Sequence, residues 1–327
     1  MKTFEWANAT SVEEAQSLRE EGTVYKAGGV DLVDLMKERI ASPKRVVNIR
    51  EIEGFDHITP GDDESLKLGP MATLSRIDED KFIRERFTAL ADACGHAATP
   101  QIRNMATVGG NLLQRPRCWY FRNELFPCRK KGGEICYAQQ GENQYHAIFN
   151  NGVCAIVHPS AAACALVALG ATIELSGDKG AKRQAKLEEF FILPNVDVTR
   201  ENSIQPGEII TEILVPALPK GAKSAYIKQG EKESFDWPIA EVAAIIEKEG
   251  DTCKSASIVL GAAAPIPRRA KEAEAAIKGK PITRDSAIAA AKAALADASP
   301  MTQNGYKLPV FEVIITRTIL AAAGGKA

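Results

Sequence analysis

"GGNLLQRPRCWYFRNELFPC" (109–128) joins two signals that rarely sit side by side. Its first three residues complete "IRNMATVGGN" (102–111), in which the glycines permit close backbone approach, Thr107 offers a hydroxyl and Asn111 an amide that both donates and accepts. Its remainder opens a cysteine-rich stretch, for Cys118, Cys128, Cys136 and Cys154 fall within one 37-residue window. A second glycine turn lies upstream. "KAGGVDLVDL" (26–35) sets Gly28 and Gly29 between a strand and a helix start, where backbone N–H groups and the helix dipole favour an anion. This turn is not G-x-G-x-x-G and lacks the Walker lysine spacing, so it fits neither a Rossmann domain nor a P-loop. "GPMATLSRI" (69–77) is a weaker member of the set.

Outside these stretches the chain reads as an ordinary globular protein. At 327 residues it is too long for one small core, and its apolar (45%) and charged (25%) content is unremarkable. A formal net charge of −1 gives no global attraction for nucleic acid or an anionic membrane. No apolar run approaches the length of a membrane span, and the acidic N-terminal segment lacks a signal-peptide pattern. The expected location is the cytoplasm, with export only alongside a partner that carries a signal.

Periodicity and caps predict an α+β chain. Residues 1–50 form a strand–helix unit, with two overlapping capping boxes in "TSVEEAQSLREE" and strands at "TVYKAGG" and "KRVVNI". Residues 51–219 carry shorter strands, at "SLKLGP", "ATIELSG" and "IITEILVP", and helices over 83–94 and 160–169. The prolines and glycine of "VPALPKGAK" mark a boundary near residue 219. Residues 220–327 then read as a three-stranded antiparallel sheet with helices at 268–277, 284–297 and 311–323. Within the larger domain, residues 115–157 have little periodicity and form an insertion organised by something other than an apolar core.

The cysteine spacing is C-x9-C-x7-C-x17-C, which is neither a zinc ribbon nor the tight ferredoxin run. Spacing alone leaves zinc, [2Fe–2S] and [4Fe–4S] open. Cys94, Cys164 and Cys253 lie in apolar runs and read as small buried hydrophobes. His146 and His158 lie near the four cysteines and read as structural, with Trp119 and Tyr120 as cover that excludes water. The insertion is basic, through Arg115, Arg117, Arg122, Arg129, Lys130 and Lys131, which either compensate an anionic cluster or form a solvated face.

The "AGG-x-DL" and "ATVGGN" pair, in this order and at this separation, resembles the flavin-binding medium subunit of the molybdenum hydroxylases. The cysteine insertion is similar to that of the 4-hydroxybenzoyl-CoA reductase beta subunit and of some bacterial aldehyde oxidoreductase FAD subunits. The resemblance implies a two-lobed FAD domain of the vanillyl-alcohol oxidase and p-cresol methylhydroxylase (PCMH) type, followed by a C-terminal domain. Lys26, Ala27, Gly28, Gly29, Val30, Asp31 and Leu32 would cradle the FAD pyrophosphate. Thr107, Gly110 and Asn111 would lie against the phosphates and ribityl chain, and Lys228 matches a lysine at the start of the family's last domain. Cys118, Cys128, Cys136 and Cys154 would ligate a [4Fe–4S] cluster. One departure stands out: where the family carries an aspartate after "HPS", this chain has Ala161.

The implied role is electron transfer rather than substrate chemistry. Implied partners are a large molybdopterin-binding subunit, a small subunit with two [2Fe–2S] clusters, and a carrier such as ferredoxin. Two other readings remain at this stage. A stand-alone flavin dehydrogenase or oxidase would touch substrate directly, and a zinc-stapled scaffold would carry no flavin.

Overall fold

In a computed structural model the described residues are 1–232 and 234–325, and they build three sheets. The first is a small parallel sheet of β1 (Glu5–Asn8), β2 (Thr23–Lys26) and β3 (Arg45–Asn48), in the order β1-β3-β2. Two helices connect these strands, α1 (Val12–Ser17) and α2 (Val30–Lys37). Ser11 caps α1 by accepting from Glu14 N, while the Glu14 carboxylate reaches back to Thr10 N. The two predicted boxes thus merge into one cap.

The second sheet is antiparallel, β4-β5-β8-β6-β7, from β4 (Ile58–Pro60), β5 (Leu66–Leu68), β6 (Thr172–Ser176), β7 (Lys182–Lys186) and β8 (Ile209–Val215). Its helices are α3 (Leu74–Glu79), α4 (Lys81–Arg86), α5 (Thr88–Gly95), α6 (Pro100–Arg103), α7 (Val108–Leu112), α8 (Ala161–Ala168) and α9 (Leu187–Phe190). The helix predicted over 83–94 is in fact two. Phe87 breaks it with φ −127° and ψ 50°, and its ring is fully buried. Burying that ring outweighs one continuous helical ladder.

The third sheet is antiparallel and has four strands: β9 (Lys223–Gln229), β10 (Ala240–Glu249), β11 (Thr252–Gly261) and β12 (Arg268–Arg269), in the order β12-β11-β10-β9. The sequence pattern predicted three strands. The two-residue β12 occupies what reads as the start of a helix, and α10 (Lys271–Ile277) begins after it. With α11 (Arg284–Leu295) and α12 (Lys307–Ala322) it covers one face of this sheet, in a core rich in alanine. The opposite face packs on α5 and α8, so Tyr226, Ala243 and Val259 share the second domain's core. Cys94, Cys164 and Cys253 are all buried, as read. No helix among the described residues is long and apolar enough to cross a membrane.

Residues 115–157 contain no strand and no α-helix, only two short 3₁₀ turns at Arg129–Lys131 and Tyr137–Gln139. Polar anchors hold this segment. Lys130, nearly without exposed surface, pairs with Glu201 at 2.7 Å and donates to the carbonyls of Val198 and Arg200. Arg115 shares the same carboxylate at 3.1 Å. Removing one member of a buried ion pair leaves the other charge without a partner. Glu201→Gln is therefore expected to lower unfolding stability by about 3–5 kcal/mol in a urea titration. The double variant Glu201→Gln/Lys130→Met is expected to lose less than the sum of its parts.

Candidate functional site: a glycine-lined cavity beside a four-cysteine hollow

A cavity of about 810 Å³ opens between the first two sheets, α7 and the loop after β9, within the size range of cofactor sites. All eleven residues singled out in the sequence for a cofactor line it: Lys26, Ala27, Gly28, Gly29, Val30, Asp31, Leu32, Thr107, Gly110, Asn111 and Lys228.

Local chemistry explains how the two glycine turns meet. Gly28 lies so close to the 102–107 loop that a Cβ there would overlap the carbonyl oxygen of Met105. Gly29 has φ +81° at the N-cap of α2, and no side chain caps that end. The first N–H groups of α2 are therefore left for a ligand. At the second turn Thr107 caps α7 by accepting from Gly110 N at 3.2 Å. The two glycines of that turn differ in duty. Gly109 packs on Pro70, where a Cβ would come within 2.9 Å, whereas a Cβ on Gly110 would meet only the Thr107 hydroxyl oxygen. Asn111 Oδ1 accepts from the Ser160 hydroxyl at 2.6 Å, directly beside Ala161 in the same wall.

Asp31 is not a free anion in this cradle. Its carboxylate accepts from Arg115 N at 2.9 Å and pairs with Arg117 at 2.5 Å and Arg122 at 2.7 Å. Three arginines of the insertion are thus engaged by carboxylates of α2 and by Glu201, not spread over a solvated face. Arg129 and Lys130 do border the cysteines. Lys228 donates to His96 O at 3.0 Å, and burial lowers its pKa. Burial likewise lowers Lys26, with Arg50 adding to the effect. Sequence reasoning missed several wall residues: Arg117, Phe235, Trp237 and Glu241. The "SFDWP" stretch (234–238) carries two exposed aromatics and was the available signal. Trp237 lies 4.7 Å from the Arg117 guanidinium, so the loop after β9 closes on the insertion.

Behind this cavity a small hollow is lined by Cys118, Cys128, Cys136 and Cys154 together. Its other walls are mostly aromatic and aliphatic, including Tyr120, Phe121, Tyr137 and Ile156. Trp119 and Tyr120 lie outside and inside this wall as an edge-to-face group with Tyr145 and His146. Neighbouring backbone N–H groups favour the thiolates, those of Phe121 and Tyr120 at Cys118, those of Ala155, Ala138 and Gln139 at Cys136 and that of Ile156 at Cys154. Cys136 and Cys154 are neighbours in the hollow, and their interaction holds Cys136 down to about 6 and pushes Cys154 up. Burial pushes Cys118 up to about 11. His146 Nε2 sits 3.2 Å from Cys118 Sγ, and burial lowers its pKa to about 4. His158 is buried against Phe191, with its pKa lowered to about 3 by burial. Among the described residues no three His, Cys, Asp or Glu side chains converge on a single-ion site.

Comparison with known proteins agrees with this geometry along nearly the whole chain. Residues 2–218 match the FAD binding domain in molybdopterin dehydrogenase, and residues 225–322 the CO dehydrogenase flavoprotein C-terminal domain. The chain belongs to the FAD-binding subunits of the molybdenum hydroxylase family. It is 32% identical to the aldehyde oxidoreductase FAD-binding subunit PaoB of Escherichia coli (strain K12), over 94% of this chain and 93% of that one. It is 27% identical to the carbon monoxide dehydrogenase medium chain of Hydrogenophaga pseudoflava, over 98% and 96% of the two chains. A solved carbon monoxide dehydrogenase from that organism superposes with a TM-score of 0.77, covering 100% of this chain and 99% of its counterpart at 27% identity. The chain is accordingly an FAD-binding subunit of a molybdenum-containing oxidoreductase, with substrate chemistry on another subunit.

The glycine geometry yields a prediction. Gly29→Ala must hold a β-carbon at positive φ, a strain of about 1–2 kcal/mol, while Gly28→Ala must push the 102–107 loop away. Both variants are expected to lower flavin content, Gly28→Ala more severely, as measured by absorbance after denaturing release. Flavin at the unaltered level in Gly28→Ala would refute the cradle.

Proposed function

We propose that this chain is the electron-transfer flavoprotein of its complex, passing electrons between FAD in the glycine-lined cavity, a [4Fe–4S] cluster on Cys118, Cys128, Cys136 and Cys154, and [2Fe–2S] clusters of a partner. The fit of FAD is supported by the uncapped N-terminus of α2, the absence of side chains on Gly28 and Gly110, and the cavity's size. The cluster is supported by the donor set. Four thiols share one mostly apolar hollow, and backbone N–H groups favour the thiolate form of three of them, a setting that suits an anionic iron–sulfur cluster. When bound, FAD exchanges two electrons with one-electron carriers.

The observation that carries the reading is the wall between the two sites. Leu35 lines the cavity, Phe121 and Cys128 line the hollow, and these three residues form one buried apolar cluster. Leu35 from the cavity side thus meets Phe121 and Cys128 from the hollow side in one apolar partition, the path that direct electron exchange between the two sites would take. Within this arrangement the α2 N-terminus and Thr107 turn would hold the phosphates. Lys228 would approach from the third sheet, and Asn111, oriented by the Ser160 hydroxyl, would supply part of the polar contact that Ala161 lacks. The arginines bound to α2 fix the distance from cradle to cysteines. The proposed partners are a large molybdopterin-binding subunit and a small subunit with two [2Fe–2S] clusters, giving a heterotrimer. The cysteine insertion would face an external carrier such as a ferredoxin.

The test is a visible spectrum with flavin, iron, sulfide and zinc analysis of anaerobically purified complex. The expected result is FAD plus four iron and four sulfide per chain in excess of the partner's clusters. Zinc in place of that iron would overturn the cluster. Two variants separate the sites: Cys128→Ser is expected to lose the iron and keep FAD, and Gly110→Val to lose FAD and keep the iron. Joint loss in both would overturn the two-site reading.

A further inference from the structure

One ionisable group in the cavity wall has no part in the reading above. Glu241 stands near the start of β10, in register with Lys228 of β9 on one side and Gly261 of β11 on the other. It lines the cavity and is fully buried. One carboxyl oxygen accepts a hydrogen bond from the Tyr226 hydroxyl. The other, Oε1, has no hydrogen-bond partner in the protein. Gly261 makes room for it, since a Cβ there would overlap the carboxyl group.

The neighbouring charges are arranged to leave this carboxyl unneutralised. Tyr226 and Lys228 face it from β9, Lys307 from the start of α12 and Cys164 from α8, while Cys94 of α5 faces Tyr226. Both lysines donate elsewhere, Lys228 to His96 O and Lys307 to the carbonyls of His146 and Ala262. A buried carboxylate with an unpartnered oxygen is costly, so the group must carry a proton or find a partner in the cavity.

We propose that Glu241, held by Tyr226, is the proton-exchanging group of the flavin cavity: its carboxylate takes up a proton when electrons enter the bound flavin and releases it when they leave. This rests on FAD occupying the cavity. The electrons come from, and return to, one-electron iron–sulfur carriers of the complex. The proton comes from water, an O–H bond forms at the Glu241 carboxylate, and the same bond breaks on reoxidation. Negative charge added to a low-dielectric cavity raises the proton affinity of a carboxylate facing it. Burial already lifts this carboxyl to about 7, against the opposing Tyr226 hydrogen bond and the Lys228 and Lys307 charges. Either form is therefore within reach near neutral pH.

The test is reduced-minus-oxidised infrared difference spectroscopy of the intact complex, with flavin absorbance recorded first on each sample. The expected result is a positive band in the protonated-carboxyl region that shifts down in heavy water. Glu241→Gln is expected to abolish it, and Tyr226→Phe to move it. The band is expected to fade well below pH 7, where the carboxyl is already protonated in both states. A flavin-loaded wild type with no such band, or a band that survives in Glu241→Gln, would overturn the proposal. A colourless protein would instead overturn FAD binding itself, a separate failure.

Discussion

The carboxylate of Asp31 stands at the first turn of α2, where the helix dipole already favours negative charge, and it gathers Arg117, Arg122 and the backbone N–H of Arg115. Arg122 is almost entirely buried in this contact and also reaches Asp34 at 3.2 Å. Charge-assisted bonds of this kind, partly out of water, are stronger and more directional than surface pairs. The same interaction decides two things. It clamps the head of the cysteine insertion onto the glycine turn, and it neutralises a carboxylate that would otherwise repel a phosphate at that turn. Cys118 follows Arg117 directly, so the geometry of the sulfur hollow is set from the cofactor cradle outward.

The tail of the insertion is fixed with equal specificity to the third sheet's helices. Asn143 donates to Thr302 and exchanges hydrogen bonds with Gln303, and Asn151 donates to the carbonyl of Ser299. Asn304 and the buried Lys307 both donate to the carbonyl of His146, whose ring touches Cys118 Sγ. An irregular segment has no internal ladder to satisfy its backbone groups, so side chains from outside must do it. Here the satisfying side chains come from the start of α12 and the loop before it. The C-terminal helices therefore serve the sulfur hollow as well as their own alanine-rich core.

Much of this was legible in the sequence, and the exceptions share a physical cause. The glycine turns could be read because a turn is local: Gly28, Gly29 and Gly110 declare their role through what they lack. Three strands of the second sheet and three of the third could be read from sequence pattern, but β4 and β7 could not; the insertion could be read from its want of periodicity. The break at Phe87 could not, because the pattern across 83–94 is continuous and only burial of one ring decides against it. β12 could not, because a two-residue strand has no period. The ion pairs of the insertion were equally hidden, for Arg122 and Asp31 lie 91 residues apart. Glu241 was hidden by its setting, a single acid in the apolar run of β10 whose fully buried position only the sheet register reveals. Convergence of the four cysteines was implied by family resemblance and not by their uneven spacing.

The two chambers share the Asp31 clamp but are lined by different groups. The cradle depends on backbone and on Asp31, neither of which touches a cysteine sulfur, while the hollow depends on thiols and on N–H groups that do not line the cavity. What they share is a partition of Leu35 and Phe121, with the Arg115 guanidinium 4.7 Å from the Phe121 ring and Arg122 on it at 5.8 Å. An aromatic ring held by two cations that are themselves ion-paired has little freedom to move, so the thickness of the partition is fixed by packing. Electron exchange falls steeply with distance and is indifferent to the identity of the substrate elsewhere in a complex. Leu35 and Phe121 thus set the glycine-lined cavity and the sulfur hollow on opposite sides of one buried apolar cluster, and that adjacency is what the proposed exchange of electrons between them would use.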